Sequence, residues 1–552
     1  MAFNKVSGWS LRLRPAQYVL VICLLVFQCL VLMSGLSLPT GASAQSGVTK
    51  PGADGPLMPA ATGTCPVTPV MSPTPSATPT VSAIEFSPGV VTLNNPTTSS
   101  TTTHRSSIKL VVTAYDNSGN VLTPTADDPL YVRIDGAPKG LIKPTLRKIT
   151  SGDTADFEYS GKYFPNPINV EAWMKIPNGT ATLGEYALGI TQILGENQNA
   201  CAYNSKNFQL AVNCGDQTAE QCETDNITSS HGIQVQAAVG YAEAKDASFT
   251  PYTVDAGSLG VIVPIGDLPT TGSDWIGPGA PGMKAYTSNG QNSFTGNYYL
   301  APVSLKLSNG GEAQTSRIMV LVLSAGQSLH YLGIGFNREN FTYEDLFQTP
   351  ADNAFLHLTN RDNGTDISPG YQIGAASVTL GTTSTTGYNL IPLTATGAQV
   401  PGEYADAMGC FNFPGAPDNP GPFCGSMLFD IGIGDMYLGL DDFQRPTGYN
   451  TGGVVTTGDT VNIIGGSPSS PAMCYSFASG GSSLITPYAA NWTQPPEPCG
   501  VFFNTGRTPL AAYNYMYDAR CGNVGFQPLS DPLYPATCDA VFGADRMPAS
   551  SQ

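Results

Sequence analysis

The chain has 552 residues, a formal net charge of −17 and only 24 Lys and Arg residues. A chain of this length exceeds what one hydrophobic core holds and indicates roughly three domain-sized units. The shortage of basic residues argues against a function in binding nucleic acid or an anionic membrane surface. The acidic balance fits a protein that stays soluble outside the cell.

Residues 1–44 have the pattern of a secretory signal peptide. Three basic side chains precede an apolar run over residues 18–38, and small residues follow up to Ala44, which is the order that export signals share. We predict cleavage after Ala44 and a secreted protein, extracellular or in the cell envelope. The apolar run is about 20 residues long, enough to span a bilayer. An uncleaved membrane anchor is therefore the alternative, and it is the sole membrane contact that the sequence predicts.

Three segments of different composition follow the signal. Residues 45–80 are rich in Pro, Thr and Ser and predict an extended linker. Residues 81–194 contain short alternating runs of apolar and polar residues between turn residues, and Leu110 to Asn120 within them resembles the second-strand region of bacterial immunoglobulin-like domains. These residues therefore predict an immunoglobulin-like β-sandwich. Residues 195–231 have little periodicity and three cysteines, and predict a disulfide-pinned connector.

Cysteine usage predicts disulfide bonds rather than metal or redox chemistry. Ten of the twelve cysteines lie beyond the signal, an even number in an exported chain. The pairs predicted from proximity along the chain are Cys410 with Cys424, Cys474 with Cys499, and Cys521 with Cys538. The cysteines whose partners stay open are Cys65, Cys201, Cys214 and Cys222.

Two short stretches in the β-rich remainder share one pattern. Asp255-Ala256-Gly257-Ser258 and Asp430-Ile431-Gly432-Ile433 each follow an apolar, strand-like run and consist of a carboxylate, a spacer and a turn glycine. The two aspartates are separated by 430 − 255 = 175 residues, which suits one compact lobe for each. The pattern therefore predicts a site with two carboxylates, built from two halves of an all-β chain.

Further motifs in the same order make this region resemble the pepsin-like aspartic peptidases. Ser293 to Leu305 resembles the strand after the flap of that family, and Tyr331 to Phe336 resembles the motif that supports the first aspartate loop. Tyr515 to Pro528 is similar to the closing pair of strands. The resemblance implies an all-β chain in which the sandwich is followed by a bilobal pepsin-like domain, with lobes at residues 232–395 and 396–552.

The resemblance also implies a chemistry. Asp255 and Asp430 would form the catalytic dyad, because two adjacent carboxylates share one proton and can activate a water against a peptide carbonyl. An extended peptide or protein substrate would lie in the cleft between the lobes, at acidic pH, with neither a cofactor nor a metal. The residues expected to support the dyad are Gly257, Ser258 and Gly432, and the candidates for the flap position are Tyr286 and Asn289.

Four positions depart from the family pattern. The family carries Thr or Ser, whose hydroxyls lock the two lobes together, where this chain has Ala256 and Ile431. Ile433 lacks the hydroxyl that Ser258 retains, and Asn504 stands where a supporting glycine is expected. The sequence therefore leaves three functions open: an active endopeptidase, a catalytically inactive binding or inhibitor protein of the same fold, and a surface adhesion module that uses the sandwich.

Overall fold

The computed structural model describes residues 84–530 except for gaps at 95–104, 117, 136, 163, 165, 178–183, 196–206, 286–292, 338–349, 361–364, 383, 397–403 and 496–499. All described residues belong to one compact unit, Pro59–Gln552. Within these ranges no helix is long and apolar enough to cross a membrane. The predicted signal peptide and linker lie outside the described residues.

The residues up to Gly195 form a β-sandwich of two five-stranded sheets. Its strands are β1 (Ile84–Ser87), β2 (Val90–Leu93), β3 (Ser106–Tyr115), β4 (Val121–Leu122), β5 (Leu130–Asp135), β6 (Ile142–Lys143), β7 (Leu146–Ile149), β8 (Thr154–Tyr159), β9 (Ile168–Lys175) and β10 (Tyr186–Gly195). Buried residues alternate with more exposed ones along β3 and β5, because successive side chains of a strand point to opposite faces. One hydrophobic core lies between the sheets and includes Leu110, Val132 and Phe157.

A short helix lies within the predicted connector. After strand β11 (Phe208–Gln209), helix α1 spans Ala219–Thr228 and begins with a capping box between Thr218 and Gln221. A disulfide joins Cys214 to Cys222 and ties the preceding turn to the helix. Only three of its ten residues are buried, so the sequence has no apolar stripe that would indicate a helix here.

The first lobe is built on a nine-stranded sheet. The strands up to residue 392 are β12 (Gln234–Val239), β13 (Thr250–Asp255), β14 (Leu259–Pro264), β15 (Pro281–Ala285), β16 (Ser293–Lys306), β17 (Glu312–Leu323), β18 (Tyr331–Ile334), β19 (Leu358–Asn360), β20 (Thr365–Asp366), β21 (Tyr371–Gly374), β22 (Ser377–Leu380) and β23 (Asn389–Pro392). The sheet order is β15-β16-β12-β13-β18-β14-β17-β19-β20. β18 is parallel to β13 and antiparallel to β14, so it separates the two strands that flank the Asp255 loop.

The second lobe repeats this arrangement. Its strands, with the closing pair, are β24 (Ala407–Asn412), β25 (Phe423–Leu428), β26 (Met436–Gly439), β27 (Asn450–Thr451), β28 (Val454–Val455), β29 (Thr460–Ser467), β30 (Ser470–Ala478), β31 (Ala490–Thr493), β32 (Phe502–Asn504), β33 (Tyr513–Asp518) and β34 (Asn523–Pro528). β32 lies between β25, which is parallel to it, and β26, which is antiparallel. The strands flanking the Asp430 loop are thus separated in the same way. A disulfide joins Cys410 and Cys424, the pair predicted from proximity, across β24 and β25.

A six-stranded sheet contains strands from both halves of the chain, in the order β11-β22-β21-β33-β34-β23. Phe429, next to Asp430, stacks on Tyr515 of this sheet at 4.5 Å between ring centroids. Phe336, two residues after β18, stacks on Tyr517 at the same distance. The shared sheet therefore supports both aspartate loops from one side. The predicted all-β class is confirmed, and the short 3-10 helices lie at Ala244–Asp246, Ile265–Asp267, Pro350–Asp352, Ala354–Leu356 and Thr508–Ala511.

A buried ion pair fixes the sandwich to the first lobe. Glu171 on β9 is 1% exposed, and its carboxylate lies 2.8 Å from Nε of Arg317 on β17. Nε of Arg133, within the sandwich, lies 3.3 Å from the same carboxylate. The Arg317 guanidinium also lies over the ring of Trp173, 4.8 Å from its centroid. The sandwich is therefore packed against the lobe through charged and aromatic contacts.

Candidate active site

The Asp255 loop is held by strands that are buried along their length. Val254 is fully buried, and the Asp255 side chain at the end of β13 is 4% exposed. The backbone N–H of Gly257 donates to Oδ1 of Asp255 at 2.8 Å, and Oγ of Ser258 donates to Oδ2 at 2.5 Å. Both oxygens of the carboxyl group are thus oriented by the residues that directly follow it.

The Asp430 loop has an equivalent pair of donors from different parts of the chain. The backbone N–H of Gly432 donates to Oδ1 of Asp430 at 2.9 Å. Nδ2 of Asn504, at the end of β32, donates to Oδ2 at 2.8 Å. The Asn504 amide is itself held, because its oxygen accepts a hydrogen bond from the N–H of Gly506 at 2.9 Å. Asn504 therefore supplies the second donor that Ile433 lacks.

The structure brings the carboxyl groups of Asp255 and Asp430 together at the glycines of the two loops. The approach is close at both glycines of the loops. A Cβ on Gly257 would lie 2.3 Å from Cγ of Asp430, and a Cβ on Gly432 would lie 2.3 Å from Oδ1 of Asp255. Each carboxyl group thus rests on the glycine of the opposite loop, and a residue with a side chain at either position would push the carboxyl groups apart.

The protonation of this pair follows from its burial. Burial and the adjacent charge of Asp430 raise the pKa of the Asp255 carboxyl group above its ordinary value, against the lowering effect of the Ser258 hydrogen bond. Two carboxylates at contact distance cannot both ionise cheaply, so the pair keeps one proton over a wide pH range. Burial, followed by the charges of the two aspartates, also raises the pKa of the Tyr331 phenol. Tyr331 is therefore a neutral hydroxyl group close to the dyad.

The two spacer residues of the loops face the apolar interior. Ala256 is 4% exposed and Ile431 is fully buried, and both belong to the core shared by the lobes. Ala256 borders a small apolar cavity that Phe429 and Tyr515 also line. Neither spacer carries a hydroxyl group. At these two positions the loops are therefore held by apolar packing.

Other predicted residues are placed as follows. β15 and β16 pair as an antiparallel hairpin, but the flap candidates Tyr286 and Asn289 lie outside the described residues. Cys474 takes part in a disulfide bond, and the pairings with Cys499 and Cys538 stay predictions because those two residues also lie outside the described part. Cys65 and Cys201 also lie outside the described residues. Among the described residues, no group of three His, Cys, Asp or Glu side chains is placed to hold a metal ion.

Both aspartates are recognisable in the sequence, whereas Asn504 is there only a departure from the expected glycine. The family pattern alone assigns no role to an amide at this position. The strand that carries Asn504 runs beside the one that leads to Asp430, and Leu428 and Asn504 are paired in the parallel register. The sequence does not show this register, so it does not show that Asn504 lies beside Asp430. An amide at the end of the crossing strand reaches the carboxyl group directly.

Each lobe has an Asp-x-Gly loop whose flanking strands are separated by a crossing strand, and the two lobes share the six-stranded sheet at their base. This is the bilobal fold of pepsin-like aspartic peptidases. Among solved structures, the chain is similar to an aspartic proteinase from Irpex lacteus, with 13% identity, 59% of this chain and 97% of that chain covered, and a TM-score of 0.36. It is also similar to basic 7S globulin from soybean, with 11% identity, 61% and 99% covered, and a TM-score of 0.37. Similarity at this level does not bear on activity. No family model and no curated protein sequence matches the chain.

Proposed function

We propose that this protein is a secreted aspartic endopeptidase that hydrolyses peptide bonds with Asp255, Asp430 and one water molecule. The observation that carries the proposal is the close approach of the two carboxyl groups, each of which rests on the glycine of the opposite loop. Each group is also held by one glycine N–H and one side-chain donor. A site that had only kept its fold would not need this second donor on both sides. The disulfide bonds are compatible with an exported protein.

The proposed reaction uses the single proton of the pair. The ionised carboxylate accepts a proton from the water as the water oxygen attacks the peptide carbonyl carbon, and the neutral carboxyl group gives its proton to the carbonyl oxygen. The carboxyl group that took a proton from the water then gives it to the amine nitrogen, the tetrahedral diol returns one hydroxyl proton to the other carboxylate, and the C–N bond breaks. The pair ends with one proton, as it began, and the products are a carboxylic acid and an amine.

The substrate of this proposal is an extended peptide or unfolded protein segment. Its backbone would lie in the cleft between the lobes, beside the β15–β16 hairpin. The reaction would be fastest at acidic pH, where the singly ionised pair is most populated. No metal or cofactor takes part in the proposed reaction.

The alternative is a catalytically inactive binding protein that uses the same cleft. The replacement of both hydroxyl-bearing residues by Ala256 and Ile431 is the observation that favours it. A displacement of about 1 Å between the carboxyl groups and the substrate costs on the order of a hundredfold in rate, so the geometry of the loaded site decides between the two.

Cleavage of an unfolded protein at roughly pH 3–5 tests the proposal. We expect limited cleavage that a pepstatin-type inhibitor blocks. Asp255→Asn should abolish cleavage while leaving the protein folded, and Asp442→Asn, at a surface carboxylate that is 79% exposed, should not change it. A folded protein without cleavage across this pH range would exclude the endopeptidase. A ligand that binds equally well to Asp255→Asn would then support the binding protein.

A further inference from the structure

Arg507 is a buried cation behind the dyad. Its side chain is 1% exposed and follows β32 by three residues. Among the described residues, no carboxylate lies within ion-pair distance of its guanidinium group. The donors of the guanidinium group go instead to four backbone carbonyl oxygens in two separate segments. A buried arginine without an ion-pair partner is costly unless other acceptors satisfy its donors, and here the carbonyl oxygens do so.

The first segment is the Asp430 loop itself. Nη1 of Arg507 donates to the carbonyl oxygen of Gly432 at 3.2 Å and lies 3.4 Å from that of Ile431. The backbone N–H of Arg507 donates to the carbonyl oxygen of Ile433 at 3.0 Å. One residue therefore contacts three successive carbonyl groups of the loop, starting directly after the aspartate.

The second segment is the end of helix α1 and the residues behind it. Nε of Arg507 donates to the carbonyl oxygen of Ile227 at 3.2 Å, and Nη2 donates to that of Ser229. Carbonyl groups at a helix C-terminus lack intrahelical partners and attract a positive charge. Gly232, with a φ of +64°, leaves the space for the guanidinium group, because a Cβ there would lie 2.3 Å from Nη1.

This second segment is connected to the strand that carries Asp255. Oγ1 of Thr253 donates to the carbonyl oxygen of His231 at 3.1 Å, and the N–H of Val254 donates to that of Ile233 at 2.9 Å. A continuous set of hydrogen bonds thus leads from the Asp255 strand, through residues 227–233, to Arg507 and the Asp430 loop. These hydrogen bonds connect the two aspartate loops, whose spacer side chains, those of Ala256 and Ile431, have no hydroxyl group to bond across.

We propose that Arg507 is a positioning residue for the dyad. Arg507 ties the Asp430 loop to the Asp255 strand, and its charge favours the singly ionised pair. The inference rests on the proposed function. The titratable groups facing Arg507 are Asp430, Asp435, Tyr331 and Tyr488. Burial lowers the pKa of Arg507, and the charges of these neighbours oppose that effect. Arginine stays protonated in proteins, so its charge persists wherever the dyad titrates.

Two substitutions separate the geometric role of Arg507 from its charge. Arg507→Lys keeps the charge but has no planar fork to reach both segments. We expect kcat to fall about 10-fold to 100-fold with little change in KM, and the acid limb of the pH–rate profile to stay in place. Arg507→Gln removes the charge as well, so the acid limb should also move upward by about one pH unit.

Two further variants serve as comparisons. Gly232→Ala retains the arginine but displaces its guanidinium group, so it should behave like Arg507→Lys. If Arg507→Gln does not fold, these two variants test whether Arg507 positions the dyad. Arg445 also donates to two backbone carbonyl oxygens, those of Leu440 and Thr493. Arg445→Gln should lower the thermal midpoint and leave kcat and the acid limb unchanged.

The outcome that overturns the proposal is an Arg507→Gln variant that, like Arg445→Gln, loses only thermal stability. If the wild-type protein cleaves nothing, the proposed function fails, and a second measurement tests Arg507 separately. The difference in free energy of unfolding between wild type and Asp255→Asn, measured across pH, reports the proton on the pair. Introducing Arg507→Gln into both proteins should shift this difference to higher pH. An unchanged pH dependence would overturn the role of the charge.

Discussion

Nδ2 of Asn504 donates a hydrogen bond to Oδ2 of Asp430 at 2.8 Å. On the other side of the dyad, Oγ of Ser258 donates to Oδ2 of Asp255 at 2.5 Å. The donor in the first lobe comes from the loop of the aspartate, and the donor in the second lobe comes from the crossing strand. The two carboxyl groups therefore have equivalent hydrogen bonds although the sequences of the two loops differ.

Replacement of Asn504 by glycine, the residue expected from the family, should weaken the site. The variant leaves Oδ2 of Asp430 with one donor fewer, and hydrogen bonds to charged groups contribute about 1.5–3 kcal/mol. We expect kcat to fall about 10-fold to 100-fold. Adding Ile433→Ser, which places a hydroxyl three residues after Asp430 as Ser258 is placed after Asp255, should restore part of the loss. Steady-state kinetics of the single and double variants provide the measurement.

Asn389→Ala is the control for that series, because this amide, on the edge strand β23 of the six-stranded sheet, donates to the carbonyl oxygen of Ala472 on β30. Its kcat should equal that of the wild type. A double variant no faster than Asn504→Gly would show that a hydroxyl at residue 433 does not reach Asp430.

The stability of the protein should decrease as pH rises from acid to neutral. Burial raises the pKa of Asp255, and burial also raises the pKa of Glu171 to about 7 despite the opposing effect of two arginines. Unfolded carboxyl groups titrate near pH 4. Above that pH the folded state binds more protons than the unfolded chain, so the free energy of unfolding falls with increasing pH, and the contribution is fully present only below about pH 4.

Urea denaturation at several pH values between about 4 and 7 measures this slope. Asp255→Asn has no carboxyl group to titrate and should show a smaller slope than the wild type. An identical slope in both proteins would mean that Asp255 keeps an ordinary pKa in the folded state.

The sequence predicts the parts of this fold that follow from local pattern. Both aspartate loops are recognisable because an apolar run, a carboxylate and a turn glycine lie next to one another in the chain. The role of Arg507 is not recognisable in the sequence, because its partners are backbone carbonyl groups of residues that lie about 75 and 280 positions away. Carbonyl groups have no side-chain signature. The pattern does not indicate helix α1 for a related reason, since a helix with three buried residues has no apolar period to detect.

The two spacer positions should respond differently to a restored hydroxyl group. Ala256 borders a cavity, so Ala256→Ser should change the free energy of unfolding by less than about 1 kcal/mol. Ile431 is fully buried among apolar side chains, so Ile431→Thr removes packing and buries a hydroxyl, with an expected loss of about 2–4 kcal/mol. Urea denaturation compares the two. An Ile431→Thr variant as stable as the wild type would indicate that the new hydroxyl finds a partner in the opposite loop.

The buried pair of Glu171 and Arg317 should make the sandwich and the first lobe unfold together. Glu171→Gln leaves the Arg317 guanidinium, 6% exposed, with Asp274 at 3.5 Å as its remaining carboxylate. Above about pH 7, where the Glu171 carboxyl group is ionised, removing one partner of this buried ion pair costs about 3–5 kcal/mol, so the thermal midpoint should fall clearly. Replacing both residues, with Glu171→Leu and Arg317→Met, removes the uncompensated charge and should recover much of the loss.

Asp442→Asn breaks a pair with Arg445 in which the carboxylate is 79% exposed, and it should cost less than about 1 kcal/mol. Calorimetry separates this result from the effect at Glu171. Because the buried charges couple the two domains, the wild type should show one cooperative transition across the sandwich and the first lobe. Two transitions, with the sandwich unaffected by Glu171→Gln, would mean that the sandwich is an independent module, as a role in surface adhesion requires.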